Sequence, residues 1–192
     1  MLGEVLVFLR SRLDGYLSAR LGMVPGQADQ AKVVLLDGEK IDPIEFQMGA
    51  VTALMINIEQ EKIQRAPDRY YRTLADGSSA RVNPEIRINV YLLFVAHFKQ
   101  YEQGLDYLSL IIQYFQAHPV IDRNIAPELD ARLDRLTFEL VTLSMSDQGE
   151  IWNALRTSYM PSVMYRVGLL IFQDEDTISG PEVTQEVTRV SQ

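Results

Sequence analysis

The chain has 192 residues, 47% of them hydrophobic, a formal net charge of -8 and no cysteine. This length and composition suit one globular domain with a full core, and the acidic balance argues against general nucleic-acid binding, because phosphate contacts need clustered Lys and Arg. Without cysteine there is no disulfide framework, no thiolate nucleophile and no thiolate metal site.

Residues 2–21 are predicted to form an amphipathic helix, because their apolar residues recur at a spacing of three and four. The start of the chain lacks the pattern of a signal peptide. The most apolar run, residues 90–98, is far shorter than the roughly 20 residues of a membrane helix. We therefore expect an aqueous, cytoplasmic setting and no membrane partner. The apolar stripe comprises Leu2, Val5, Leu6, Leu9, Leu13, Tyr16, Leu17 and Leu21.

Three strands are predicted next, at residues 32–36, 50–63 and 82–95. In the second strand, strict alternation places Leu54, Ile56 and Ile58 on one face and Asn57, Glu59 and Glu61 on the other. The third strand becomes apolar on both faces in its second half, which is typical of a central strand covered on both sides.

The link at residues 64–81 is locally basic in an acidic protein. One interpretation is a solvated hairpin tip. The other is a projecting hairpin arm that docks on an acidic neighbour, since Arg and Tyr are favoured contact residues. The candidate contact residues are Arg65, Arg69, Tyr70, Tyr71 and Arg72.

The second half of the chain alternates helices and strands. A helix is predicted at residues 99–117 and strands at residues 133–143 and 162–172, with Ser146 as N-cap of a short helix that carries Trp152. The order α-β-β-β-α-β-α-β indicates an α/β fold of the α+β type, with helices flanking a mixed, mostly antiparallel sheet. The expected core stripe of the longer helix is Tyr101, Leu105, Leu108, Ile111, Ile112 and Phe115.

Residues 173–192 form a polar tail. Such a terminus is commonly disordered, although its Val and Thr residues would also suit a strand added to another subunit's sheet. Its acidic residues Asp174, Glu175 and Asp176 are candidate contacts for a basic partner.

No grouping of residues predicts catalysis, a cofactor or a metal. His97 and His118 are expected at opposite ends of one helix, roughly 30 Å apart, which is too far for a shared metal or proton relay. Glu59 and Glu61 lie near 7 Å apart on one strand, but the polar residues around them indicate a solvated pair without the perturbed pKa that catalysis needs. We therefore predict that the protein is not an enzyme.

Three stretches of the chain resemble the amino-terminal domain family of tail-terminator, or cap, proteins from phage-tail-like contractile injection systems. They are VLVFLRSRLDGYL at the start, INVYLLFVAHFKQYEQGLDYLSLIIQYFQAHPV in the centre, and LTFELVTLSMSDQGEIWNALRTSYMPSVMYRV near the end. Each motif is degenerate, but their order and spacing together cover about residues 2–172.

The resemblance implies a fold like that of phage tail terminators and a cap domain over residues 1–172. It also implies a homohexameric ring that closes the distal end of the inner tube and anchors the last sheath ring, in a particle assembled in the cytoplasm. Tube and sheath proteins would then be the partners. The charges of the residues, and not the resemblance, make the basic arm and the acidic tail candidates for opposite partners.

Two other interpretations stay open at this point. One is another structural connector or baseplate component of a phage-like particle. The other is an enzyme whose site forms between subunits, where the distance between the two histidines of one chain no longer matters.

Overall fold

A computed structural model describes residues 2–21, 31–38, 44–61, 71–73, 79–81, 86–130, 133 and 135–172; for 71–73, 79–81 and 169–172 it describes the backbone. The helices are α1 (Leu2–Arg20), α2 (Tyr101–Ala117) and α3 (Met145–Ala154). The strands are β1 (Val33–Leu35), β2 (Ala50–Gln60), β3 (Tyr71–Thr73), β4 (Ser79–Arg81), β5 (Ile86–His97), β6 (Val120–Asp122), β7 (Arg135–Val141) and β8 (Ser162–Phe172).

Six strands form one sheet in the order β1-β2-β5-β8-β7-β6, while β3 and β4 pair with each other. Strand β1 runs parallel to β2, and the other four pairings in the large sheet are antiparallel. The predicted mixed, mostly antiparallel sheet with flanking helices is therefore confirmed.

The sheet is covered on both faces. Helices α1 and α2 pack on one face, which we call the helical face, and α3 packs on the other, the α3 face. Alternate residues of β5 enter the two separate cores, Leu92 and Phe94 on the helical face and Leu93 and Val95 on the α3 face. This confirms that β5 is the central strand. Most of the stripe predicted for α1 is also confirmed, since Val5, Leu9, Leu13 and Leu17 are all buried. Leu21 is the exception, because it follows the helix end at Arg20 and is 38% exposed.

A β-bulge corrects the two faces predicted for β2. The register with β5 shifts between Met55 and Asn57. Because an extra residue in one strand reverses the alternation beyond it, Asn57 and Glu59 follow Leu54 on the α3 face, while Ile58 lies on the opposite face. Strict period-two alternation could not reveal this shift.

The buried face of α2 also differs from the prediction. Tyr101 and Leu105 were expected in the core but are 63% and 41% exposed, whereas Tyr107 and Tyr114 are buried. The buried face is rotated around the helix by aromatic packing beside Leu108 and Phe115, where the Tyr107 ring lies 4.5 Å from Phe98 and the Tyr114 ring 5.1 Å from Tyr16.

Several boundaries needed correction. The strand predicted at residues 82–95 is β5, which is described from Ile86 and ends at His97 rather than at residue 95; residues 82–85 lie outside the described residues, and β6 was not predicted. Helix α3 is capped by Ser144 rather than Ser146: the Ser144 hydroxyl accepts a hydrogen bond from the Asp147 N–H, and the Asp147 carboxylate accepts one from the Ser144 N–H. Among the described helices, none has the length and apolar character of a membrane span.

Candidate interaction surfaces

Trp152 attaches α3 to the sheet, as its position in the sequence predicts. The side chain is 5% exposed and belongs to the core on the α3 face, together with Leu54, Leu93 and Met164. Its ring meets Phe46 at 6.1 Å in an edge contact. The segment around Phe46 is thereby held against α3, although no periodicity in the sequence marks it as structured.

An apolar groove lies beside α3 on the same face. It encloses about 520 Å³ and is lined almost entirely by apolar side chains. Leu36 and Ile44, from short segments outside the long strands, complete its wall, and sequence reasoning did not identify them because neither segment shows a periodic pattern. The strands and helix contribute Leu54, Met55, Ile56, Asn57, Tyr91, Val141, Leu143, Ile151, Ala154, Leu155 and Met164.

The candidate contact residues of the arm lie mostly outside the described residues. Arg65, Arg69 and Tyr70 are not described, and for Tyr71 and Arg72 only the backbone is. That backbone forms β3, which pairs with β4 in antiparallel register. The acidic tail residues Asp174, Glu175 and Asp176 also lie outside the described residues.

The arm and the tail nevertheless begin at the same end of the sheet. Strand β2 ends at Gln60, β5 begins at Ile86 and β8 ends at Phe172. Ile86 pairs with Phe172, and Gln60 pairs with Ile88 of the same strand β5. The segments that follow Gln60 and Phe172 therefore leave neighbouring positions, which we call the arm end of the sheet.

The two histidines have local structural roles. His118 is the C-cap of α2, and its Nδ1 lies 2.9 Å from the Tyr114 carbonyl oxygen. His97 does not lie on this helix but ends β5, where its Nδ1 is 2.8 Å from the Phe46 carbonyl oxygen. This corrects the predicted position of His97. Within the described ranges, no group of three or more His, Asp or Glu side chains could hold a metal.

Glu59 in β2 and Glu61, one residue beyond its end, each accept a hydrogen bond from a neutral side chain of β5. The Tyr91 hydroxyl donates to Glu59 Oε2 at 2.6 Å, and the Asn89 amide donates to Glu61 Oε2 at 3.0 Å. The hydrogen bond to Glu59, with some burial, raises the pKa of Tyr91 above its ordinary value. These contacts connect two strands and bring no nucleophile or proton relay together.

Similar proteins are found among solved structures, whereas no curated protein sequence matches the chain. The fold resembles the PVC sheath/tube terminator of an extracellular contractile injection system in its extended state, with 15% identity and a TM-score of 0.56, over 94% of this chain and 62% of that one. The anti-feeding prophage cap (AFP tube terminating cap) also matches, with 15% identity and a TM-score of 0.48, over 74% of this chain and 48% of that one.

The chain thus spans less than two thirds of the length of either matched protein. At this identity, the likeness to the PVC terminator concerns the fold. The sequence itself shows the family, because residues 4–186 match the model of the Pvc16 N-terminal domain. As the three resembling stretches predicted, this chain belongs to the Pvc16 N-terminal domain family.

Proposed function

We propose that the protein is a structural terminator, or cap, that closes the sheath and inner tube of an extracellular contractile injection system. The observation that carries the proposal is the family match over residues 4–186. The fold shared with the PVC sheath/tube terminator supports it. The role is mechanical and needs no catalytic group.

The cap acts as a homohexameric ring on the distal end of the tube, in a particle assembled in the cytoplasm. A closed ring uses a heterologous interface, in which each subunit offers two different surfaces. The groove beside α3 and the arm end of the sheet are two such surfaces on one chain.

The cap domain spans residues 1–172, with the projecting arm at 64–81 and the tail at 173–192. In this proposal the basic arm and the acidic tail contact different neighbours, and charge complementarity sets register more than affinity. The arm contacts are Arg65, Arg69, Tyr70, Tyr71 and Arg72, and the tail contacts are Asp174, Glu175 and Asp176.

Imaging of particle ends tests the proposal. The chain is given a small epitope label and mixed with assembled tubes and sheaths that lack a cap, and negative-stain images then locate the label. We expect label at the end distal to the baseplate. Label at the baseplate end would identify a connector or baseplate component instead, and label along the sides or nowhere would contradict both roles. Denatured protein with the same label serves as the control.

A further inference from the structure

The two edges of the six-stranded sheet end differently. At the β1 edge, the Asp14 carboxylate of α1 accepts hydrogen bonds from the N–H groups of Lys32 at 2.6 Å and Val33 at 3.1 Å. The helix therefore covers part of this edge. At the other edge, β6 pairs with β7 only over residues 135–137. Strand β7 continues to Val141, so its last part lies at the edge of the sheet. We call residues 139–141 the open edge.

Pro119 ends the ladder between β6 and β7. The Phe138 N–H donates to the Pro119 carbonyl oxygen at 2.9 Å, so the backbone groups of Phe138 face away from β8. Proline has no N–H and cannot donate back to the Phe138 carbonyl. Because backbone groups alternate in direction along a strand, the N–H and C=O of Leu140 face the same way as those of Phe138. The described part of the chain places no strand there, so these groups are available to another strand.

The open edge is accessible and carries no unpaired charge. Leu140 is 49% exposed, and Glu139 is exposed as well. The Glu139 carboxylate forms an ion pair at 2.6 Å with Arg166, which lies opposite it on β8. Charged side chains, proline and bulges commonly protect an edge strand from pairing. Residues 139–141 have no proline, their register with β8 is regular, and the charge of Glu139 is neutralised.

The open edge is complementary to itself in one register. Two copies that meet antiparallel about Leu140 exchange two hydrogen bonds between their Leu140 backbones. The exposed Leu140 side chains then lie opposite each other, and Glu139 of one copy lies opposite Val141 of the other. Parallel pairing in register would place the two Glu139 carboxylates side by side, which is unfavourable. Hydrogen bonding, apolar contact and charge therefore favour the antiparallel, two-fold arrangement.

We propose that two copies of this chain pair along the open edge, so that the six-stranded sheet extends to twice that number of strands across a two-fold axis. The occupant of the edge is β7 of the second copy. This inference goes beyond the proposed function, because it concerns two free chains and not neighbours around a ring on a tube. Pairing covers an edge that would otherwise be open to other chains.

Disulfide trapping tests the register, because the chain has no cysteine of its own. One preparation carries Glu139→Cys and the other carries Val141→Cys together with an epitope label, which distinguishes the products by mass. Directly opposite residues without mutual hydrogen bonds have Cα atoms about 4.5 Å apart, within the range of a disulfide. We expect oxidation of the mixture to join the two chains into a covalent dimer of twice 21.9 kDa plus the label.

The control replaces Val141→Cys by Arg10→Cys with the same label. Arg10 is exposed on α1, which lies beside the β1 edge. Mixed dimers no more abundant than in this control would overturn the proposal. So would Glu139→Cys alone cross-linking as strongly as the mixture, because the parallel register brings the two Glu139 positions together.

Sedimentation velocity measures the contact without a cross-link. Leu140→Lys is expected to raise the dimer dissociation constant about tenfold or more, because it places two ammonium groups opposite each other at the two-fold axis. Circular dichroism should not change, since the replaced side chain is half exposed. Val7→Lys is the matched control: Val7 is 47% exposed on α1, and its replacement should leave dimer formation unchanged.

A wild type that sediments as a monomer at every concentration would overturn the proposal, as would a Leu140→Lys variant that dimerises like the wild type. The shortening of tubes is a separate readout. A mixed disulfide at the open edge would support the pairing even if the chain does not shorten tubes. Shorter tubes without the mixed disulfide would overturn the pairing and leave the proposed function standing.

Discussion

A glycine in β8 leaves space for polar side chains of the two neighbouring strands. Gly168 of β8 lies between Asn89 of β5 and Thr137 of β7. A Cβ atom at this position would be 2.6 Å from Thr137 Oγ1 and 3.1 Å from Asn89 Oδ1. Asn89 is itself buried and donates to Glu61. The glycine therefore makes room for a polar row that crosses three strands.

We predict that Gly168→Ala destabilises the protein by about 1–3 kcal/mol, since the added methyl group displaces β-branched Thr137. Urea unfolding measures the change. Gly149→Ala is the matched control: this glycine lies in α3 with no atom within 4 Å of a new Cβ, so the substitution should stabilise by about 0.5–1 kcal/mol. Equal effects of the two substitutions would contradict the close approach at Gly168.

Helix α3 shows how much of an element is visible in the sequence. Its existence and its Trp152 anchor follow from the pattern of residues. The prediction of Ser146 as N-cap overlooked Asp147, which follows Ser144 at the spacing of a capping box, whereas Gly149 stands at that spacing from Ser146. The reciprocal bonds between Ser144 and Asp147 form a capping box that fixes the beginning of the helix.

We predict that Ser144→Ala lowers the free energy of unfolding by about 0.5–2 kcal/mol, because it leaves the Asp147 N–H without its acceptor. Ser146 is the second residue of the helix. Ser146→Ala should therefore change the free energy of unfolding by less than about 0.5 kcal/mol. Urea unfolding of the two variants compares them directly. A larger loss for Ser146→Ala would show that the helix is capped at that residue.

The longer elements were predictable to different degrees. The stripe of α1 and the double-sided apolar run of β5 follow from periodicity, because burial on one face or on two faces leaves a clear pattern. The bulge at Ile56 leaves no such pattern, since residues 56–59 alternate between apolar and polar as they would in a strand without a bulge. In α2 the spacing of the stripe placed Tyr101 in the core and missed Tyr107 and Tyr114, because the buried face is rotated toward the rings of Phe98 and Tyr16.

In the whole molecule, the apolar groove and the arm end of the sheet are separate surfaces with different chemistry. The apolar groove lies on the α3 face, whereas the arm and the tail begin at the arm end of the sheet. Sequence reasoning identified the basic and acidic segments as candidate contacts. It could not find the groove, because Leu36, Leu54 and Leu155 come together only through the pairing of β1 with β2 and the packing of α3 on the sheet.

We propose that this chain stops tube growth, and the length of assembled tubes is the most direct test. Purified tube protein is polymerised with increasing amounts of the chain, and tube lengths are measured by negative-stain electron microscopy. We expect shorter tubes, with the mean length falling as the ratio of chain to tube protein rises. Tubes that reach the same length with and without the chain, at every ratio, would contradict it.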